Sequence, residues 1–173
     1  MRLITGIIIA AACAGAVYAE GDVKMRTLIT EGTKAPAFEA LDTSGKTVKS
    51  SDLIGKQAFV LYFYPKDDTP GCTVEGCAFR DESAEYKKHG IQVFGVSLDN
   101  VDSHKAFTEK FNLNFPLLAD PDQKICEAYG VNVKDNKYAE RVTFAIDKTG
   151  TVKKVFPKVT PKDHAKEVLA VLQ

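Results

Sequence analysis

Apolar residues fall along this chain in short runs separated by clusters of turn-forming residues, and the spacing within each run predicts an element. Phe38 to Leu41 reads as a short strand, with Asp42 to Lys46 as turn chemistry before Thr47-Val48, which together predict a small N-terminal hairpin. Ala58 to Phe63 is continuous, aromatic and branched, as expected of a strand buried on both faces inside a sheet. Pro65 to Gly71 breaks that pattern. From Cys72 to Lys88 an imperfect helical spacing resumes through Cys77, Phe79, Ser83, Ala84 and Tyr86. Ile91 to Val96 predicts a strand, Val101 to Phe111 an amphipathic helix, Phe115 to Ala119 a strand and Asp122 to Tyr129 a short helix. Val142 to Ile146 and Thr151 to Phe156 predict a hairpin across Asp147 to Gly150, and Pro161 to Leu172 a closing helix opened by proline. Strands alternate with helices until a terminal hairpin and helix, an order that argues for an α/β domain with a central mixed β-sheet flanked by helices.

The first residues follow a different rule. Met1-Arg2 precedes a run from Leu3 to Val17 that is apolar except for Thr5 and two glycines, and the run closes on Val17-Tyr18-Ala19 before the first acid, Glu20. That order is expected of a secretory signal peptide over residues 1–19, cleaved after Ala19 and exporting the protein to a periplasmic compartment. The run is short of the ~20 residues that span a bilayer, so no stable membrane insertion is expected after cleavage. Ala10-Ala11-Ala12-Cys13 loosely matches a lipoprotein box. Residues 20–30, polar and without period, read as a linker or extended arm, and residues 31–173 as one domain.

Composition narrows the function classes. Lys plus Arg (23) balances Asp plus Glu (23), so no global field points to nucleic acid. Four cysteines are too few for a disulfide scaffold. Loss of the leader would remove Cys13 and leave Cys72, Cys77 and Cys126, whose meaning is then chemical.

The informative stretch is Tyr62 to Asp81, YFYPKDDTPGCTVEGCAFRD. A buried strand delivers the chain into a loop rich in turn residues, and Cys72 follows at the expected N-terminus of a helix. The helix dipole and unpaired N–H groups there favour a thiolate over a thiol, and only the thiolate is a nucleophile. The competing reading is a small hydrophobic side chain packed near a cap. Cys77 lies five residues on, a rise of about 7.5 Å and a rotation of roughly 140° on an intact helix. A disulfide requires Cα atoms within about 6.8 Å, so any bond between these two sulfurs requires the helix to unwind locally.

The string Pro65-x-x-x-Thr69-x-x-Cys72 resembles the active-site signature of the peroxiredoxins, and with Cys77 it is similar to their bacterioferritin-comigratory, or Q-type, subgroup. The resemblance extends through GVSLD (95–99), FPLLAD (115–120), AYGV (128–131) and ERVTFAIDKTG (140–150). It implies a thioredoxin-like fold and a thiol peroxidase that needs no metal, haem or flavin. It implies that Cys72 attacks the peroxide and becomes a sulfenic acid, and that Cys77 resolves it as a disulfide. Thr69 would hydrogen-bond sulfur and peroxide, Pro65 would shield the site, Arg141 would stabilise the thiolate and the leaving oxygen, and Glu75 would steady Arg141. The partners implied are a peroxide and thioredoxin or, for an exported protein, an extracytoplasmic thioredoxin-like reductant; the subgroup is often monomeric.

Other residues carry weaker signals. Cys126 reads as core packing, and Arg80 with Asp81 as an ion pair near the helix or a site pair. His89, His104 and His164 are far apart, and solvated or helix-face positions are the default for them. Two other functions compete. A thiol–disulfide exchange protein of the same fold lacks the expected Cys-x-x-Cys pair, and a copper-binding carrier would use Cys72, Cys77 and one histidine.

Overall fold

The computed structural model describes residues 25–173; the predicted signal peptide, Cys13 and the first part of the linker lie outside the described residues. Chain order is β1 (Glu39–Asp42), β2 (Thr47–Lys49), β3 (Ala58–Phe63), α1 (Pro70–Asp81), α2 (Ser83–Lys88), β4 (Ile91–Ser97), α3 (Val101–Phe111), β5 (Leu117–Ala119), α4 (Lys124–Tyr129), β6 (Val133–Lys134), β7 (Tyr138–Ala139), β8 (Val142–Ile146), β9 (Val152–Phe156) and α5 (His164–Leu172). Seven strands form one sheet in the order β2-β1-β5-β4-β3-β8-β9. β3 lies inside it, parallel to β4 and antiparallel to β8. The sheet is therefore mixed, as the alternation of elements predicts.

The register explains the composition of β3. Residues Phe59 to Phe63 are almost wholly buried, since the strand has paired neighbours on both edges and packed layers on both faces. Phe59, Leu61 and Phe63 point to one face and join Phe144, Tyr129 and Val131. Val60 and Tyr62 point to the other and join Phe79, Phe107, Leu117 and Val168. Each such large side chain contributes about 1.5–3 kcal/mol by leaving water. Tyr62 stacks on Phe79 of α1 with centroids 4.6 Å apart, and Phe79 also meets Tyr86, Phe115 and His164. The second half of α1 is thus set on an aromatic layer.

Some boundaries differ from those predicted. The expected helix over 72–88 is two helices, broken at Glu82, whose ψ of 2° leaves the helical region. Asn114 supports the break, its Nδ2 donating to Ser83 Oγ at 2.7 Å and to the Arg80 carbonyl. Helix α4 begins at Lys124 because Gln123 is left-handed (φ 60°), and α5 begins at His164 after a turn. The small hairpin β6–β7 was not predicted; Asp135 and Asn136, both with φ 52°, form its turn.

Residues 25 to 30 run as an arm across the domain. Arg26 donates from its backbone N–H to Asn132 Oδ1 (2.8 Å), from Nη1 to the Val131 carbonyl (3.0 Å) and from Nη2 to Gln123 Oε1 (3.0 Å). Gly130, with φ +71°, lets the arm approach: a Cβ there would stand 1.8 Å from the Thr27 carbonyl oxygen.

Candidate active site

The site is assembled where β3 ends. Because Val142 of β8 pairs with Phe63, Arg141 stands beside the exit of β3 and so beside the loop leading to α1. Thr69 is the N-cap residue of α1 in extended conformation, Pro70 follows in the first turn, and Cys72 is the third helical residue. Its sulfur therefore sits at the positive end of a 12-residue helix, where the first backbone N–H groups lack intrahelical partners. Cys72 is 1% exposed.

Arg141 reaches it directly. The guanidinium donates from Nη2 to Cys72 Sγ at 3.1 Å and from Nη1 to Glu75 Oε2. Burial works against the charge on Arg141, but Glu75 and Cys72 more than offset this and raise its pKa above the ordinary value. Glu75, one turn after Cys72 on the same helix, is fully buried, and its second oxygen has no partner among the described residues. Burial pushes its carboxyl up to about 7 even though Arg141 pulls it down. Tyr62 lies below with a buried hydroxyl that has no partner among the described residues, and its pKa is driven far up by burial and by the nearby Glu75 and Cys72.

The structure brings Cys72, Glu75 and Arg141 into contact and places the other predicted residues nearby with differences. Thr69 gives its single hydroxyl hydrogen to the Lys66 carbonyl at 3.0 Å instead of to the sulfur. Its lone pairs remain available as acceptors, and it is only the expected bond from Thr69 to the sulfur that the bond to Lys66 replaces. Pro65 is half-buried at the exit of β3. Cys77 is unbonded and half-buried, and opens on a groove between α1 and α5 lined by Thr73, Val74, Ala165 and Lys166. Arg80 pairs with Asp81 at 2.8 Å and donates to the Phe111 carbonyl at 2.7 Å, fastening the end of α1 to the end of α3.

Cys126 is completely buried, and burial pushes its thiol well up, which fits the core-packing reading. Two of the histidines lie on helices as expected but are buried rather than solvated. His104 is fully buried with Nδ1 2.9 Å from Asp67 Oδ2, and His164 is fully buried between the rings of Phe79 and Phe156, with Nε2 at 2.8 Å from Thr143 Oγ1. Helical spacing could have flagged His104, which lies three residues before the buried Phe107 of α3.

Residues 32–155 match the model of the AhpC/TSA family. The chain belongs to the AhpC/TSA family. It is 47% identical over 148 residues to peroxiredoxin Bcp of Bacillus subtilis, covering 82% of this chain and 94% of that one. It is 42% identical over 147 residues to the chloroplastic peroxiredoxin Q of Triticum aestivum, 84% of this chain and 67% of that one. Among solved structures, peroxidoxin BcpB from Mycobacterium tuberculosis superimposes with a TM-score of 0.78 at 32% identity, over 83% of this chain and 96% of that chain. Peroxiredoxin Q of Xanthomonas campestris gives 0.73 at 37% identity, over 78% and 89%. The fold is accordingly thioredoxin-like, and this peroxiredoxin of the Bcp and Q type is a thiol peroxidase. That assignment favours the peroxidase over the exchange protein and the copper carrier.

Proposed function

We propose that Cys72 is the sulfur that this peroxiredoxin oxidises, and that hydrogen peroxide and organic hydroperoxides are its substrates. The observation that carries the reading is the 3.1 Å bond from Arg141 to Cys72 Sγ at the first turn of α1. The sulfur attacks one peroxide oxygen, an S–O bond forms as the O–O bond breaks, and water or an alcohol leaves with a proton. Sulfur is oxidised by two electrons to a sulfenic acid and the peroxide is reduced by the same two. Arg141 donates to the sulfur and to the charge that builds on the leaving oxygen, Thr69 accepts from the peroxide O–H, Pro65 limits water, and Glu75 holds the guanidinium. Cys77 then attacks the sulfenic sulfur, an S–S bond forms, and water leaves.

The dithiol state is restored by a thioredoxin-type reductant through two thiol–disulfide exchanges. The apolar leader supports export to the periplasm after cleavage at Ala19, and an exported enzyme draws on an extracytoplasmic thioredoxin-like protein. The resemblance to the Q-type subgroup supports a monomer as the acting form.

Stopped-flow measurement of one turnover tests the central claim: Cys72→Ser abolishes peroxide consumption, and an unchanged rate would defeat the reading. Cys77→Ser retains the first turnover and accumulates Cys72 sulfenic acid, seen by mass spectrometry as one added oxygen. The same measurement on exported protein reads its N-terminus, and an intact leader on the mature form would remove the export proposal.

A further inference from the structure

Beneath the loop between β3 and α1 lies a polar cluster that none of the proposed chemical steps uses. Asp67 is 6% exposed and His104 is fully buried, and His104 Nδ1 lies 2.9 Å from Asp67 Oδ2. The same carboxylate accepts from the Tyr64 hydroxyl on Oδ1 and from the Ser103 hydroxyl on Oδ2, both at 2.7 Å. The Asp67 backbone N–H donates to Asp99 Oδ2 at 2.9 Å, and the Ser97 hydroxyl donates to that same oxygen at 2.8 Å. With the Asp67 oxygens already accepting from the Tyr64 and Ser103 hydroxyls, the His104–Asp67 contact is completed by a hydrogen assigned to Nδ1. Among the described residues His104 Nε2 has no partner.

Burying a carboxylate costs several kcal/mol unless donors replace its water. Here three side-chain donors do so, and they come from different elements: Tyr64 from the end of β3, Ser103 and His104 from the first turn of α3. The segment they seize would not hold its shape by local preference. Asp68 has φ +55°, a left-handed conformation uncommon outside glycine, and its carboxylate is held by Lys110 at 2.6 Å. The Thr69 hydroxyl closes the loop back on Lys66. The next residues are the first turn of α1, with Cys72 three positions after Thr69.

We propose that Asp67 and His104 are positioning residues, whose buried bond locks the loop that presents Thr69 and the first turn of α1 to peroxide. The proposal rests on Cys72 being the reacting sulfur, and it gives the loop a fixed anchor on α3. Neither residue takes part in proton transfer; each acts through the placement of Thr69 and the first helical N–H groups.

The test is single-turnover stopped-flow kinetics with hydrogen peroxide on His104→Ala, His104→Asn, His104→Gln and Asp67→Asn, at a temperature where each is folded by circular dichroism. Misplacing reacting groups by about 1 Å costs up to 10²-fold, so His104→Ala should slow the first turnover by about 10- to 100-fold. Asn sets an amide nitrogen where Nδ1 stands and restores most of the rate. Gln sets its amide nearer the Nε2 position and does not. Asp67→Asn, which keeps the volume and weakens the acceptor, should fall with Ala, and it carries the test if His104→Ala does not fold. A wild-type first turnover in His104→Ala or in Asp67→Asn overturns the proposal, as do equal rates in the Asn and Gln variants. A shift in melting temperature alone, without the Asn-over-Gln order in rate, would mark a packing role and overturn it as well. Cys72→Ser, run in parallel, separates the two claims: if it retains turnover the catalytic reading falls, whereas an inert Cys72→Ser beside an unaffected His104→Ala removes only the anchor.

Discussion

Arg141 bridges Cys72 and Glu75 with two different nitrogens, Nη2 on the sulfur and Nη1 on the carboxylate. A planar guanidinium can hold two partners in a fixed fork; an ammonium holds a point. The charge beside the sulfur is thereby aimed as well as present.

Arg141→Lys keeps the charge and loses the fork, so the first turnover should slow by about 10²-fold, the magnitude found when one preorganised donor is removed. Stopped-flow kinetics checks this, and a rate within twofold of wild type would show that charge alone suffices.

Two buried groups near the site give opposite dependences of stability on pH. Glu75 rises from an ordinary 4.5 to about 7 in the folded protein because it is desolvated, so its contribution is complete below 4.5 and is lost as pH rises toward 7. His164 falls from 6.5 to about 4, first through burial and then through the charge of Arg141, so its contribution is complete above 6.5 and is lost as pH falls toward 4. In urea titrations from pH 4 to 8, wild type should lose stability relative to Glu75→Gln on the way up, and relative to His164→Gln on the way down. A difference that does not change with pH would contradict the assigned cause.

Cys72 and Cys77 both lie on α1 and are unbonded in the folded helix. The disulfide proposed between them would need the intervening turns to open, since five helical residues separate Cα atoms by more than a disulfide tolerates. One equivalent of peroxide should therefore reduce the far-UV helical signal by about one to two turns and speed amide exchange over 70–77. Helix content unchanged in a protein shown by mass spectrometry to hold the Cys72–Cys77 bond would refute this.

The parts of the fold legible in the sequence were those decided by burial of continuous segments. Ala58 to Phe63 declared an interior strand because both of its faces are packed, and the loop chemistry before Cys72 declared a helix start. Features decided by distant partners were hidden. Nothing local distinguishes Glu82 as a helix break, because the support comes from Asn114; nothing in the spacing of the histidines reveals that His104 has Asp67 as a buried acceptor. The β6–β7 turn is a different kind of miss, since Asp135-Asn136 are residues that tolerate positive φ and so carried a usable signal. Within the site, Arg141, distant in the chain, contacts both Cys72 and Glu75, a convergence that no local spacing carries, and the direction of the Thr69 hydrogen bond depends on where the Lys66 carbonyl lies.

Gly130→Ala should release the arm at residues 25–30. The new Cβ would collide with the Thr27 carbonyl in a backbone conformation already unfavourable for alanine, a cost of about 1–3 kcal/mol. Urea denaturation measures the loss, and limited trypsin digestion should cut after Arg26 in the variant while wild type, whose Arg26 side chain is engaged, resists. Equal digestion of both would count against the arm's attachment.

The seating of Phe79 on Tyr62 divides α1 into a half held by polar contacts, which contains Cys72 and Glu75, and a half moored in the aromatic interior. Movement during oxidation can then be borne by the first half alone, with the second acting as a template on which the helix rewinds after reduction. Fatigue over many peroxide encounters should accordingly fall on the sulfur, through overoxidation, sooner than on the architecture that carries it.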